Sequence, residues 1–393
     1  MIKRIELCNW KSFKNATLYI DQMSFVIGTN ASGKSNALDA LGFLQRLADG
    51  ANISDGVKET RGGFDWLIMN DEGEATLRVV IKENDIDYRY DLTLRKLGKT
   101  IIIYKEGLYR KFAQRPERAL FETDWISNTG VLATRFYTAK RGSLKRIDLY
   151  ANTSILSQAE NLSVVKDVKI GAALMLKNLR SIFILNPLPN KMRAYVPLST
   201  ELDVDGGNVA GVLAGMDDEE KKSLEKTIGE YLYKLPERDV ERVWAEKVGR
   251  FGADAMLYCE EKWTNDKMQI LDARGMSDGT LRFISIILAL LTRPEGSLLV
   301  VEEIDNGLHP SRSEELVSML HELGTKRHID ILCTTHNPVL IDQLGFEMVP
   351  YISVIKRSME DGSSQIHLLE ENDNLIEIMV SGTIGDGMIS NKI

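Results

Sequence analysis

Eight residues near the N-terminus constrain the fold of this chain more than any other stretch. Residues 28–35 read Gly-Thr-Asn-Ala-Ser-Gly-Lys-Ser and match G-x-x-x-x-G-K-[ST], the phosphate-binding P-loop. The apolar residues 23–27 before it predict a strand, and apolar residues at 37, 38, 41 and 44 predict a helix after it. The motif therefore stands between a strand and a helix, the setting that its chemistry requires.

The residue types in this loop match the needs of a bound triphosphate. Gly28 and Gly33 permit backbone torsions that a Cβ would obstruct, so that N–H groups at a helix N-terminus can point at phosphate oxygens. We expect Lys34 to supply a positive charge to the β- and γ-phosphates and Ser35 to offer its hydroxyl to Mg²⁺. The predicted ATP-binding residues of the loop are Gly28, Asn30, Ala31, Ser32, Gly33, Lys34, Ser35 and Asn36.

Length and composition describe a folded chain of more than one lobe. The 393 residues are too many for one ordinary core, and 44% apolar with 27% charged residues is globular composition. With no apolar run of membrane-spanning length and no signal-peptide pattern at the start, we expect a cytoplasmic protein with no membrane segment. The net charge of −8 argues against broad non-specific DNA binding. The three cysteines have no metal-ligand spacing and are expected to be buried free thiols: Cys8, Cys259 and Cys333.

The hydrophobic pattern predicts an α/β chain in three parts. Residues 1–150 would form an N-terminal ATPase lobe with the P-loop and an antiparallel meander, because strand-like runs follow one another from residue 75 onward. Residues 151–270 would form a largely helical insertion, including a helix over 217–244 broken at Pro236. Residues 271–393 would return to alternating buried helices and strands, with a closing hairpin near 351–369.

An apolar strand over 298–301 ends in two acids, Glu302 and Glu303. Two carboxylates at the C-terminal end of a buried strand are what a Mg²⁺-dependent nucleotide hydrolase needs. We assign Glu302 to Mg²⁺ and Glu303 to the attacking water. The structural alternative is an acidic helix start after a buried strand.

Two further segments fit a phosphate site. Ser277 stands before a buried helix, where it is either an N-cap or part of an anion site at the helix N-terminus. His336 follows the last buried strand, at the edge where α/β sites are built, so it could sense the γ-phosphate. A lone histidine is otherwise more often structural.

These motifs resemble a known group in both content and order. The P-loop, Ser-Asp-Gly-Thr at 277–280, the acid pair, Asp-Asn-Gly-Leu-His-Pro at 305–310 and Thr-Thr-His-Asn-Pro at 334–338 follow the order of ABC-type ATPases. More closely, they look like the RecF/SMC-like and OLD-family ATPases, often described as AAA-family ATP-binding proteins. The opening strand through Phe13 and residues 202–210 are similar to segments of that group. The implied fold is an ABC/RecF-like head with a mixed β lobe, a P-loop core and a helical insertion.

The resemblance implies an ATPase that works as a head-to-tail homodimer around ATP and Mg²⁺. Lys34, Glu303 and His336 would act in hydrolysis, and Lys11 and Ser12 would lie near the nucleotide. The other subunit would complete each site through Ser277, Asp278 and Gly279, with Asn306 and His309 in the loop that crosses the interface. Gln158 stands where a glutamine coupling nucleotide to partner is expected, although no motif fixes it.

Two features bear on the partners. The long coiled-coil arms of SMC proteins and the C-terminal nuclease domain of full-length OLD proteins have no counterpart in the sequence, so any nuclease would be a separate effector. A basic strip of Arg135, Lys140, Arg141, Lys145 and Arg146 is either a nucleic-acid contact or a solvated face.

The sequence is compatible with three functions. The first is an ATP-driven switch in bacterial anti-phage defence that controls a separate effector such as a nuclease. The second is a RecF-like repair ATPase that clamps DNA, and the third is an ATP-dependent assembly scaffold with little turnover.

Overall fold

The computed structural model of the chain describes residues 1–69, 72–126, 130–138, 143–237, 240–264 and 267–390. Strands in this part of the chain are, in order, β1 (Ile2–Trp10), β2 (Phe13–Tyr19), β3 (Met23–Ile27), β4 (Glu74–Glu83), β5 (Ile86–Leu97), β6 (Thr100–Phe112), β7 (Arg118–Ile126), β8 (Val131–Tyr137), β9 (Leu144–Tyr150), β10 (Ile182–Leu185), β11 (Val196–Pro197), β12 (Val240–Val248), β13 (Asp254–Thr264), β14 (Lys267–Asp272), β15 (Leu298–Val301), β16 (Asp330–Thr335), β17 (Ile352–Arg357) and β18 (Ser364–Leu368).

Helices lie between groups of these strands. In order they are α1 (Lys34–Ala48), α2 (Ile53–Glu59), α3 (Gly63–Leu67), α4 (Ile155–Ala159), α5 (Lys166–Arg180), α6 (Pro189–Met192), α7 (Val209–Gly215), α8 (Asp218–Tyr233), α9 (Asp278–Thr292), α10 (Ser313–Arg327), α11 (Pro338–Gln343), α12 (Leu375–Ser381) and α13 (Ile384–Ile389). Short 3₁₀ turns lie at Pro310–Arg312, Phe346–Tyr351 and Leu369–Glu371.

The chain folds into two compact units, each built from separate stretches of sequence. Unit 1 comprises residues 1–182, 296–298 and 351–372, and unit 2 comprises residues 183–295, 299–350 and 373–393. The division into 1–150, 151–270 and 271–393 stays a prediction from sequence.

Unit 1 is organised by a mixed sheet. Among its described residues the strand order is β3-β17-β18-β2-β1-β4-β5-β6-β7-β8-β9. β17 and β18 form the predicted antiparallel closing hairpin, and β17 runs parallel to β3. On β1 the alternation holds, since Ile5 and Leu7 are fully buried whereas Arg4 and Glu6 are half-buried. The β1–β2 turn is fixed on α1, because the Trp10 indole N–H donates to the Asn36 carbonyl at 2.8 Å.

Unit 2 combines a buried α/β core with a small second sheet. β10, β15 and β16 are neighbours, and α9 is buried at every position from 279 to 290, as its continuous apolar sequence predicts. In the second sheet β13 pairs with β11, β12 and β14. α7 and α8 pack against this sheet.

Two predictions of local structure are wrong. The helix expected over 217–244 ends at Tyr233, and residues 240–248 form β12 instead. The strand wins because Val243 and Ala245 are buried on the helix-facing side while Arg242 and Glu246 point outward, a period of two. Cys8 is exposed on β1, whereas Cys259 and Cys333 are buried free thiols as expected. Within the described residues no helix is both long enough and apolar enough to cross a membrane.

Candidate nucleotide-binding site

The P-loop of unit 1 has the backbone that its sequence requires. It connects β3 to α1, with φ of 154° at Gly28 and 120° at Gly33, torsions that side chains with a Cβ rarely adopt. Ala31 also has a positive φ of 62°. The Lys34 ammonium donates to the Gly28 carbonyl at 2.6 Å and to the Thr29 carbonyl at 3.0 Å. The lysine is therefore folded over its own loop, with its charge inside the curve of the backbone.

Ser32 provides the clearest mark of a ligand in this loop. Its side chain is 2% exposed, and its Oγ has no hydrogen-bond partner among the described residues. A buried hydroxyl without a partner is costly, by about 1–3 kcal/mol, so such groups normally have a ligand or water to bond. Asn30 and Ala31, by contrast, are exposed at the tip of the loop. The loop thus fits an anion such as a triphosphate, and Ser35 carries a hydroxyl oxygen of the kind that Mg²⁺ takes together with phosphates.

The closing hairpin braces the P-loop from the far end of the sequence. Ser364 Oγ donates to the Ser32 carbonyl at 2.6 Å and lies within hydrogen-bond distance of Ser12 Oγ, at 2.8 Å. Ser12 Oγ also accepts from Asn36 Nδ2 at 2.8 Å. Arg357 Nε donates to the Ala31 carbonyl at 3.0 Å. The predicted site residues Ser12, Ser32 and Asn36 therefore meet at one point, held by a serine that sequence motifs did not mark.

A carboxylate links the two basic residues beside the loop. Asp39 on α1 pairs with the Lys11 ammonium, and its other oxygen accepts from Arg61 Nε at 2.8 Å. The Lys11 and Asp39 side chains are only 6% and 10% exposed. Lys11 thus lies next to the loop, with its charge directed at Asp39. Arg61 also donates to the Ser35 carbonyl at 3.2 Å, which places a guanidinium at the start of α1.

A cavity of about 520 Å³ opens beside these residues in unit 1. A cavity of this volume lies in the range of small-molecule sites. One wall is apolar and aromatic, with the Trp66 side chain 64% exposed. Its lining residues are Lys11, Ser12, Asn36, Arg61, Gly62, Trp66, Ile68, Met69, Arg357, Asp361 and Gly362.

In unit 2 the acid pair follows β15 on a strained turn. Glu303 has φ of 49°, unusual for a residue with a Cβ, and its N–H donates to Thr334 Oγ1 at 2.8 Å. Asp305 is buried and accepts from Thr335 Oγ1 at 2.6 Å. Glu302 and Glu303 are both half-buried. The end of β16 thus fixes the loop that carries the acids, and strain of this kind is frequent at functional sites.

The predicted signature segment lies at the start of α9. Ser277 is the N-cap, because its Oγ accepts from the Thr280 N–H at 3.1 Å. The Asp278 carboxylate pairs with Arg193. A Cβ on Gly279 would lie 3.0 Å from the Gly307 carbonyl oxygen, so the start of α9 packs closely on the loop after the acids. The structure therefore brings together two of the predicted motifs, Ser277–Gly279 and residues 302–308.

The two predicted histidines are exposed. His336 directly follows β16, whose Thr334 and Thr335 hold the acid loop. His309 Nδ1 bonds Ser311 Oγ at 2.8 Å and caps a 3₁₀ turn. Asn306 Nδ2 donates to the Glu303 carboxylate at 3.4 Å. His336 thus stands on the segment that holds Glu303.

Gln158 lies on α4 in unit 1, and its amide donates to the Thr153 carbonyl at 2.9 Å. A buried carboxylate fixes this segment, since Glu106 on β6 accepts from the N–H groups of Ile155 and Leu156 at 2.8 and 2.7 Å. Tyr90 also donates to Glu106, at 2.9 Å. Burial raises the pKa of Glu106 above the ordinary value for a glutamate. The antiparallel meander and α4 are thereby joined through one group.

Two of the five cations in the basic strip of the meander are paired with carboxylates. Arg135 pairs with Glu122 at 3.0 Å and Asp124 at 3.1 Å, and Arg146 pairs with Asp148 at 2.9 Å. Lys140 and Arg141 fall outside the described residues. This arrangement favours the solvated face over a nucleic-acid contact.

Fold and motifs together define an ABC-type P-loop ATPase of the RecF/SMC-like group. The chain belongs to the family described as "AAA domain, putative AbiEii toxin, Type IV TA system", whose model matches residues 23–342. More than half of the chain thus lies within the family match.

Curated relatives match over a shorter stretch. The DNA replication and repair protein RecF of Agathobacter rectalis is 33% identical over 100 residues, and that of Lachnoclostridium phytofermentans is 31% identical over 98 residues. These matches cover 25% and 24% of this chain and the same shares of the relatives, so the chain spans about a quarter of each relative's length.

The comparison with solved structures finds SMC heads at low sequence identity. The SMC head bound to the C-winged helix domain of ScpA has a TM-score of 0.50 at 15% identity, covering 93% of this chain and 97% of its own. The SMC head domain from Thermotoga maritima has a TM-score of 0.47 at 14% identity, with 93% and 98% coverage.

Proposed function

We propose that this chain binds ATP with Mg²⁺ and hydrolyses it, and that hydrolysis controls the activity of a separate effector protein. The observation that carries the binding step is the buried Ser32 hydroxyl, which has no hydrogen-bond partner in the described part of the chain, inside a loop whose glycines have positive φ. Backbone N–H groups of residues 30–34 and the Lys34 ammonium then bind the phosphates, and the cavity beside Trp66 takes the base and ribose.

In the proposed hydrolysis, Ser35 and Glu302 are the residues that would hold Mg²⁺, and the cation would supply positive charge to the phosphate oxygens. Glu303 orients and deprotonates the attacking water, and His336 contacts the transferred phosphate. The hydrogen bond from the Glu303 N–H to Thr334 fixes the acid before the reaction. Catalysis of this kind depends on positioning, so a fixed carboxylate is what the reaction requires.

We further propose that two copies close head-to-tail around ATP, with Ser277, Asp278 and Gly279 of one copy completing the site of the other. The first two of these already have side-chain partners within unit 2, namely Thr280 and Arg193. The rigid start of α9 would then present N–H groups to a phosphate without further ordering.

Anti-phage defence is the biological role that the family description favours, because it names a putative toxin of a type IV toxin–antitoxin system. The effector would be a separate protein, such as a nuclease. A second candidate is DNA repair by an ATP-closed DNA clamp, which the RecF relatives favour.

The experiment that tests hydrolysis is Glu303→Gln, compared with Glu314→Gln on the exposed start of α10. We expect the first variant to lose about 10²-fold or more in ATP turnover while it still binds ATP, since it removes the base but not the phosphate contacts. The second should match the wild type. Turnover of Glu303→Gln at the wild-type rate would overturn the assignment.

A second experiment separates the two roles. The purified chain, with and without ATP, is tested for salt-sensitive DNA binding and for co-purification of a defined neighbouring gene product. DNA binding that requires ATP supports the repair clamp, whereas a stoichiometric protein complex without DNA binding supports the effector switch.

A further inference from the structure

One buried cation in unit 2 has no part in the proposed chemistry. Arg282 lies on α9, one turn after the signature segment, and is 8% exposed. Among the described residues its guanidinium forms neither a hydrogen bond nor an ion pair. Buried arginines are normally paired, because an unpaired charge away from water is costly.

The surroundings of Arg282 are the acids of the catalytic loop. A Cβ on Gly307 would lie 3.6 Å from Arg282 Nε and 3.7 Å from its Cδ, so the guanidinium stem lies directly under this loop. The carboxylates of Asp278, Glu303 and Asp305 act on it electrostatically, and burial lowers the pKa of the arginine despite them. Asp278 and Asp305 already have other partners, Arg193 and Thr335. Within the described part of the chain, the Glu303 carboxylate has only the weak hydrogen bond from Asn306 Nδ2, at 3.4 Å.

The cations near the loop have other tasks. Arg193 donates to the Ala273 and Met276 carbonyls, both at 2.8 Å, besides pairing with Asp278. Arg312 pairs with Glu237 at 3.0 Å. Arg282 is therefore the neighbouring cation that is not committed to another carboxylate within the described part of the chain.

We propose that Arg282 is a positioning residue for Glu303: its charge holds the Glu303 carboxylate in the orientation that serves hydrolysis and ties the start of α9 to the acid loop. This inference rests on the proposed role of Glu303. Because the start of α9 packs on Gly307, Arg282 lies between Ser277–Gly279 and the loop that carries the acid. The arginine thus gives the signature segment a direct electrostatic connection to the general base.

The test uses Arg282→Gln, which removes the charge, and Arg282→Lys, which keeps it, with the exposed Lys222→Gln on α8 as a control for the loss of one positive charge. We expect Arg282→Gln to lower kcat about 10-fold or more with ATP affinity within about twofold, and Arg282→Lys to recover most of the loss. Lys222→Gln should change neither. Arg282→Gln with wild-type kcat, or a lysine variant as slow as the glutamine variant at an equal melting temperature, overturns the proposal.

A second readout needs no nucleotide. The melting temperatures of Arg282→Gln, Glu303→Gln and the double variant are compared with that of the wild type. If the two charges interact, the decrease in the double variant is smaller than the sum of the decreases in the two single variants. Additive shifts overturn the proposal. The proposed function fails separately, when Glu303→Gln alone leaves hydrolysis intact.

Discussion

A methyl group placed on Gly33 tests the cradle of the P-loop directly. In Gly33→Ala the new Cβ would lie 2.5 Å from Ser364 Oγ and 3.1 Å from Ser12 Oγ, at a φ of 120°. The torsion costs about 1–2 kcal/mol and the overlap about 1–3 kcal/mol, which together is about 3 kcal/mol. At roughly 1.4 kcal/mol for each factor of ten, α1 should open about 100-fold more often.

Native-state hydrogen exchange of the amides in the first turns of α1 measures this opening locally, without assuming that two units unfold together. The matched control is Gly50→Ala, where φ is 95° but nothing lies within 4 Å of the added Cβ, so only the torsional cost of about 1–2 kcal/mol applies. A second change, Ser364→Gly, should recover part of the loss in Gly33→Ala because it removes the overlapping atoms.

Two outcomes would refute this reasoning. If the hairpin packs on the loop, Gly33→Ala must lower the protection of α1 amides more than Gly50→Ala does. Equal protection in the two variants therefore contradicts the packing. Failure of Ser364→Gly to restore any protection contradicts the assignment of the overlap to that serine.

Three further variants test other parts of unit 1. Glu106→Ala should destabilise it by about 3–5 kcal/mol, measured by chemical denaturation, since buried donors on Tyr90 and on α4 lose their acceptor. Because the pKa of Glu106 is raised in the folded state, its contribution to the free energy of unfolding should decrease as the pH rises above about 4.5. An ordinary paired carboxylate, whose pKa is lowered, shows the opposite pH dependence. Trp66→Ala should leave the melting temperature unchanged, as the ring is 64% exposed, but weaken ATP binding about 10-fold. Asp39→Asn should weaken the hold on Lys11 and Arg61 and cost about 3 kcal/mol by the same denaturation assay.

Each of these expectations has a contradicting result. The role of Glu106 as a buried acceptor is contradicted if Glu106→Ala is as stable as the wild type. It is also contradicted if the stabilisation that Glu106 gives the wild type increases as the pH rises. If Trp66→Ala binds ATP as tightly as the wild type, the cavity is excluded as the site of the base. If Asp39→Asn is as stable as the wild type, the ion pairs of Asp39 with Lys11 and Arg61 do not stabilise the fold.

Local patterns foresaw the elements that carry the motifs. Periodicity and capping rules locate three features, because each depends on residues that are neighbours in sequence. They are the P-loop with its two glycines and Lys34, the apolar strand before Glu302, and the N-cap at Ser277. The hairpin of β17 and β18 was equally visible from two short apolar runs with a turn between them.

The braces around the site were not visible, because they join residues far apart in sequence. Ser364 contacts Ser12 across 352 positions, and no spacing rule marks a serine for that role. Arg282 looks like an ordinary polar residue within an apolar helix until the loop above it is known. The wrong helix prediction over 240–244 has the same cause, since pairing with β13 overrides a helix-compatible sequence.

The proposed function depends on ATP binding to the loop of residues 28–35 through Lys34 and the backbone N–H groups. Equilibrium binding of a fluorescent ATP analogue with Mg²⁺ to the wild type, Lys34→Met and the exposed-lysine control Lys14→Met tests it most directly. We expect Lys34→Met to bind at least about 10-fold more weakly, because a charge-assisted phosphate contact is lost, and Lys14→Met to bind like the wild type. Equal affinity of all three proteins would contradict the account.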